Sequence, residues 1–197
     1  MNQYFDRIEI PREQGLENAV YLEDQITFSP KLSVNLGLRY SFFNPVGPSA
    51  YYLYESGVAR DSSSVSDSVF VGNGKLMKGY YGPEYRVSAR YLIAPNTSVK
   101  LSYQKIRQYV HMITNTSALS PTDIWKLSDP NILPEVGDQV ALGLYQNYKS
   151  FEVSLEGYYK EMKNFLDYKN GALLVLNQHI ERDILNTMGT AYGLEFL

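Results

Sequence analysis

Lys31-Leu32-Ser33-Val34-Asn35-Leu36-Gly37-Leu38-Arg39-Tyr40-Ser41-Phe42 puts an apolar side chain at every even position and a polar or small one at every odd position. That period of two is the pattern of a β-strand with one oily face and one wet face. The same alternation recurs along the chain. Between 84 and 93, Tyr85, Val87, Ala89, Tyr91 and Ile93 oppose Glu84, Arg86, Ser88, Arg90 and Leu92. Further on, Val99, Leu101 and Tyr103 oppose Lys100 and Ser102; Val140, Leu142 and Leu144 oppose Gln139, Ala141 and Gly143; and Phe151, Val153, Leu155 and Tyr159 oppose Glu152, Ser154, Glu156 and Lys160. Seven strands are expected, at about 17–29, 31–43, 83–94, 98–112, 138–148, 151–165 and 190–197.

The connections are of two kinds. Short turns fall at Ser29-Pro30-Lys31, Pro95-Asn96-Thr97 and Lys149-Ser150, whereas long loops run over about 44–80, 115–137 and 165–189. Each turn must join oily face to oily face, because a slip of one residue moves every side chain to the wrong side. The expected pairs are Phe28 with Leu32 and Ile26 with Val34; Ala94 with Ser98 and Tyr91 with Leu101; and Tyr148 with Phe151 and Leu144 with Leu155.

Such strands fit two architectures. In a soluble sandwich or barrel the oily face points inward; in a membrane barrel it points outward to lipid. Three features favour the membrane. The strands approach the roughly 9 to 11 residues needed to span a bilayer at a tilt, the loops are long at one end only, and Tyr40, Tyr103, Tyr148 and Tyr159 close the oily faces where interfacial girdles lie. The expected fold class is therefore all-β, an antiparallel up-and-down meander forming an open segment of a transmembrane β-barrel. Asp24 is the objection, since it shares a face with Leu22, Ile26 and Phe28, where lipid exposure is costly; a bulge in that strand is the expected remedy.

Composition agrees without deciding. The 197 residues include 18 tyrosines against 8 phenylalanines and one tryptophan, a bias suited to half-buried rings with wet hydroxyls. A net charge of −3 offers no general attraction to nucleic acid, and no cysteine is present to form a disulfide or a thiolate metal site. No run of about 18 apolar residues exists, so no transmembrane helix is expected. Residues Met1 to Asp6 lack the order of a signal peptide, and Thr190 to Leu197 reads as a strand with nothing after it to pair with, which suggests an internal fragment.

Motifs for chemistry fail on their spacing. His111 and His179 are the only histidines and neither has a ligand at metal-binding separation. Gly72-Asn73-Gly74-Lys75 has Val69 where a phosphate loop has its first glycine and Leu76 where it has a hydroxyl, so a hairpin tip is the better reading. Asp61 to Asp67 lacks calcium-loop spacing and reads as a polar loop. Asn96-Thr97-Ser98 and Asn115-Thr116-Ser117 match the glycosylation acceptor pattern, which recurs by chance. Glu152 and Glu156 are expected about 13 Å apart along one strand face, too far for a glycosidase pair. No catalytic residue, cofactor or metal is expected, and the chain is read as a non-enzyme.

Several ordered motifs carry a resemblance. Tyr21-Leu22-Glu23-Asp24 followed by Leu36-Gly37-Leu38-Arg39-Tyr40, then Gly82-Pro83-Glu84-Tyr85-Arg86-Val87-Ser88-Ala89-Arg90-Tyr91, Trp125-Lys126-Leu127-Ser128-Asp129-Pro130 and Tyr192-Gly193-Leu194-Glu195, resemble strands of TonB-dependent outer-membrane receptors of the Bacteroidota type. The resemblance spans about 17–197. It implies a bacterial outer-membrane location, contact with membrane lipid, import of a nutrient, a plug domain inside the barrel, and a TonB complex acting through that plug. Such barrels have about 22 strands, so this stretch supplies wall and loops. Tyr51, Tyr52, Tyr54, Tyr80, Tyr81 and Trp125 are the candidate ligand contacts in the external loops, with loop packing as the plainer alternative; Arg39, Arg86, Arg90, Lys100, Glu152 and Glu156 are expected to face the lumen. A soluble all-β binding module, or another outer-membrane barrel such as a secretion pore, adhesin or barrel enzyme, remains the rival reading.

Overall fold

The computed structural model describes residues 12–114, 123–175 and 177–197. Seven strands form one antiparallel sheet: β1 (Gln14–Ser29), β2 (Leu32–Val46), β5 (Tyr80–Ala94), β6 (Thr97–Gln108), β9 (Glu135–Asn147), β10 (Glu152–Tyr168) and β11 (Ile184–Phe196), in that spatial order. Each strand therefore pairs with the next of the set along the chain, and β1 and β11 are the two edges. Asn115-Thr116-Ser117 and the rest of 115–122 lie outside the described residues, as do Met1 to Asp6.

Residues directly opposite on neighbouring strands share a face, so register alone shows which side chains stand together. One row across the sheet reads Leu36, Val87, Tyr103, Val140, Tyr159 and Tyr192; the row beside it reads Val34, Ala89, Leu101, Leu142, Gly157 and Leu194. Leu32, Val34, Leu36, Val87, Leu101, Leu142 and Val153 thus occupy one face. They do not meet in a closed core, for Leu101 is 52% and Leu142 56% exposed. An apolar face of this extent, left open across every strand, is a surface made for lipid. Aromatic rings border it on both sides. Tyr85, Tyr103, Tyr159 and Tyr192 stand toward the long loops, while Tyr148 stacks on Phe151 at 4.6 Å beside a short turn. The opposite face is polar and small, and at Gly143 this smallness is required: a Cβ there would lie 2.6 Å from the ring of Tyr145, which folds over the glycine.

The turns hold the faces in phase, though not all with the expected partners. Leu144 opposes Leu155, Ile26 opposes Val34, and the Tyr148 N–H donates to the Phe151 carbonyl at 2.8 Å. Around Pro30, however, Leu32 pairs with Ser29 and a bulge between Thr27 and Ser29 displaces Phe28. Around Asn96, Thr97 pairs with Ala94 across a tighter turn, so Tyr91 meets Val99, and Leu101 meets Ala89. That difference is two positions, which preserves the face. No bulge occurs at Asp24. It pairs in register with Leu36 on the oily side.

The long connections carry structure of their own. Within 44–80 lies a hairpin of β3 (Ser49–Tyr54) and β4 (Val65–Val71), and within 115–137 a strand β8 (Ile124–Leu127) pairs with β7 (Val110–Ile113). Gly72-Asn73-Gly74-Lys75 is not the tip of that hairpin. It turns the chain at its base, where Gly47 N–H donates to the Lys75 carbonyl and Gly74 N–H to the Gly47 carbonyl, both at 2.9 Å. The polar loop expected over Asp61 to Asp67 is in part strand, since β4 begins at Val65. The Asp61 carboxylate organises the real tip by accepting from the N–H groups of Ser63 at 2.7 Å and Ser64 at 3.0 Å.

The buried apolar cluster sits at this end of the sheet rather than against its face. Ile113, Ile132, Ile180 and Ile184 form it, with Ile124, Leu166, Tyr168 and Leu174 packed around them. Placing arginine at Leu101 should cost about 2–4 kcal/mol of folding free energy in bilayers, whereas arginine at neighbouring Ser102 on the wet face should be nearly neutral. Equilibrium unfolding of the full-length protein in lipid vesicles measures both; equal costs would contradict the assignment of faces.

Candidate functional site

Above the sheet the three long connections are knitted into one cap, and Asn131 is its centre. Its side-chain amide donates to the Tyr52 carbonyl at 3.0 Å, while its own carbonyl accepts from Arg60 at 2.8 Å and from Asn186 at 3.3 Å. Asn131 thereby ties β3, the β3–β4 tip and β11 together. Asp129 holds it in place, for one carboxylate oxygen accepts from the N–H groups of Asn131 at 2.7 Å and Ile132 at 2.9 Å. Lys169 adds a further link by donating to the Arg60 carbonyl at 2.9 Å. Lys126 is held between Asp129, at 3.2 Å, and Glu13, which is in close contact with it; Glu13 also accepts from the Leu127 N–H at 2.8 Å. Burial opposes the Lys126 charge, but the two carboxylates outweigh it and raise the pKa.

The cap leaves a cleft of about 450 Å³ between the β3 strand, the β8 strand and the segment around a single 3-10 turn, Ile180–Arg182. Tyr51, Tyr52 and Trp125 line it together with His179, Asn177 and Lys126. Trp125 is 66% exposed, so its ring is open to a ligand. Tyr52 is braced from two sides: His179 meets its ring edge-on at 5.3 Å, and the Arg182 guanidinium lies 5.5 Å from its centre. Tyr54 sits beside this pair. Its hydroxyl donates to Glu181 at 2.8 Å and accepts from Arg182 at 3.2 Å, and burial raises its pKa.

Three of the six aromatic candidates are therefore brought to one cleft, and the others are not. Tyr54 is a strut within the cap. Tyr80 stands at the start of β5 and donates to the Asp129 carbonyl at 2.7 Å, which supports the cap from the wall. Tyr81 pairs with Phe42 on the oily side of the sheet, 68% exposed and away from the cleft. The residues that build the cleft and were missed in the sequence are Asn131, His179, Glu181 and Arg182. Nothing local marks them, because their importance comes from contacts more than forty residues away in sequence.

The six charged candidates share the wet face. Arg39 binds Glu17 at 2.8 Å and Glu84 at 3.4 Å. Arg90 lies directly opposite Lys100 and donates to Ser98 at 3.0 Å; on the far side of Gly143, Glu156 lies directly opposite Glu195. Arg86 faces Gly37 and Gln104, and Glu152 faces Asn147. Tyr145, folded over Gly143, donates to Glu156 at 2.5 Å.

Comparison with known proteins fits this geometry. The family model described as TonB dependent receptor-like, beta-barrel, matches residues 3–196. The chain belongs to that family. Barrels of TonB-dependent receptors are outer-membrane proteins of Gram-negative bacteria, and the receptors are transporters. Among solved structures, the closed form of the ferric-catecholate import receptor Fiu from E. coli K12 matches with a TM-score of 0.53 at 14% identity, over 93% of this chain and 25% of that one. The likeness is one of fold, and this chain spans about a quarter of the length of that receptor. No curated protein matches the chain.

Two outcomes follow for the receptor's cap. Asn131→Ala removes a buried donor and strands the Tyr52 carbonyl, at a local cost of about 1–3 kcal/mol; limited proteolysis should then cut the β3–β4 hairpin faster while the sheet stays resistant. His111, 3% exposed and bonded to Ser128 at 3.0 Å, has its pKa lowered from 6.5 by burial, with Asp129 opposing in part. The unfolded chain binds that proton more readily than the folded one, so the stability His111 contributes is present above 6.5 and lost as pH falls through its lower folded value. Hydrogen exchange in β7 and β8 should accelerate on acidification, and His111→Gln should flatten that dependence.

Proposed function

We propose that this chain is part of the wall, and much of the external recognition surface, of a receptor that sits in a bacterial outer membrane and imports a nutrient. The single observation that carries the reading is the joining of two unlike surfaces in one fold: a seven-strand wall with an open apolar face, and a cap of interlocked loops with an aromatic cleft at one end only. Lipid covers the apolar face. The cleft, through Tyr51, Tyr52 and Trp125, is the first contact for the nutrient.

The wet face looks into the lumen, where a plug domain of the full-length protein sits and through which the TonB complex acts. The charge pattern of that wall supports an occupied lumen. Arg90 opposite Lys100, and Glu156 opposite Glu195, are like charges in direct cross-strand pairing, which is unfavourable unless counter-charges meet them. Arg39, Arg86 and Glu152 extend the same lumenal surface. The motifs that resemble Bacteroidota receptors support an origin in that group.

The test uses the full-length receptor in its host. It should fractionate with the outer membrane, and its nutrient should still bind cells lacking TonB but accumulate inside only when TonB is present. Equal accumulation with and without TonB would defeat the proposal.

A further inference from the structure

Two turns in the long connections carry the same reactive pair of residues and differ in one hydrogen bond. Only Asn73 and Asn170 are followed by glycine in this chain. Both asparagines are exposed, and the space where each following glycine would bear a Cβ is open. Each pair fills the two middle positions of a four-residue turn, closed by Lys75 N–H on the Gly72 carbonyl or by Ala172 N–H on the Lys169 carbonyl, both at 3.1 Å. Gly74 has φ at +70° and Gly171 at +77°, while neither asparagine has a positive φ, the pattern of a type II turn in both places. We infer that Asn170 is a site of spontaneous covalent modification, deamidating through a cyclic imide to aspartate and isoaspartate, and that the fold shields Asn73 from the same reaction.

The nucleophile is the backbone nitrogen of the glycine. Base removes its proton, the nitrogen bonds to Cγ of the preceding asparagine, and the Cγ–Nδ2 bond breaks as ammonia leaves with a proton from solvent. Water then adds to one carbonyl of the five-membered imide. Opening at Cγ gives aspartate, and opening at the main-chain carbonyl gives isoaspartate; no oxidation or reduction is involved. The Gly74 N–H donates to the Gly47 carbonyl at 2.9 Å, so its turn must open locally before the proton can be removed. The central peptide of a turn has no partner within the turn, and the Gly171 N–H donates to no group among the described residues.

Asn170 stands where β10 hands the chain to the segment that lines the cleft with Asn177, His179 and Glu181. Its neighbour Lys169 is anchored twice, by its N–H to the Asp183 carbonyl and by its ammonium to the Arg60 carbonyl, both at 2.9 Å. Either product sets a new carboxylate beside that ammonium. Isoaspartate also routes the main chain through the former side chain, which adds a methylene to the turn that Ala172 closes and loosens this joint of the cap. The chemistry needs no ligand.

The experiment ages the full-length protein in detergent micelles at mildly alkaline pH, beside the same protein unfolded in guanidinium without detergent. Mass spectrometry with electron-transfer fragmentation follows both asparagines and separates aspartate from isoaspartate. In the native protein Asn170 should convert about tenfold faster than Asn73; in the unfolded chain the two rates should be similar. After ageing, the Ala172 N–H should exchange with solvent faster than in an Asn170→Ser variant aged alongside. Equal native rates, faster conversion at Asn73, no conversion at Asn170, or the same difference persisting in the unfolded chain would each overturn the inference. Unchanged exchange at Ala172 would overturn the loosening of the joint.

Discussion

A polypeptide crossing hydrocarbon has no water for its N–H and C=O groups, so each strand depends on its two neighbours for every backbone hydrogen bond. That constraint governs the rest of this molecule. It demands long uninterrupted pairing, seen in β10, which runs for 17 residues beside β9 and β11. Once such a ladder forms, the register is rigid, and the period of two converts it into two continuous surfaces. Local departures are absorbed without disturbing them. At Lys163 to Phe165 a bulge inserts Asn164 with φ at +56°, a conformation asparagine tolerates better than most residues, and its side chain donates to the Pro134 carbonyl at 2.9 Å.

Where the wall rises above the apolar band, the same accounting is met differently. Loop backbone groups lose their ladder partners and find side chains instead. Asp129 satisfies two N–H groups, and Asn131 serves a carbonyl of β3 while its own carbonyl is served by Arg60 and Asn186. The four-isoleucine cluster beneath gives these connections the hydrophobic core that the sheet, with its oily face turned outward, does not have. The cap is thus a small folded body standing on a wall.

The wall was legible in the sequence because alternation is a local record of facing. Leu32 to Phe42 announces its two sides without reference to any partner. The bulges were not legible, since displacing Phe28 leaves the alternation on either side unchanged. The tighter turn at Asn96 was missed for a related reason: moving the pairing by two keeps the same face, so the oily-to-oily rule accepts either register. The bulge expected in the strand of Asp24 is present, but it falls at Phe28, and Asp24 keeps its place opposite Leu36. In the cap, Trp125 and Tyr51 could be singled out by residue type, but Asn131 and Arg182 could not. An asparagine in a loop is ordinary until three distant segments converge on it.

Wall and cap are joined by tyrosines, which makes the cleft more than an appendage. Tyr109 stacks on Phe43 at 4.9 Å, and its hydroxyl is bonded to Ser41 at 2.8 Å on the wet side of β2. Tyr80 reaches from β5 to the carbonyl of Asp129, the residue that fixes Asn131. Ser41 is two positions along β2 from Arg39, and Arg39 grips Glu84, 5% exposed with one carboxylate oxygen lacking a partner among the described residues. Packed and hydrogen-bonded groups therefore run from the cap onto β2, the strand that also carries Arg39 on the charged wet face. Such continuity is the physical precondition for coupling two sites, because a shift at one end must be accommodated by discrete contacts along the way. The groups that close the cap and the groups of the wet face belong to the same strands, so the ladder that solves the backbone's problem in the membrane also sets the distance between the two.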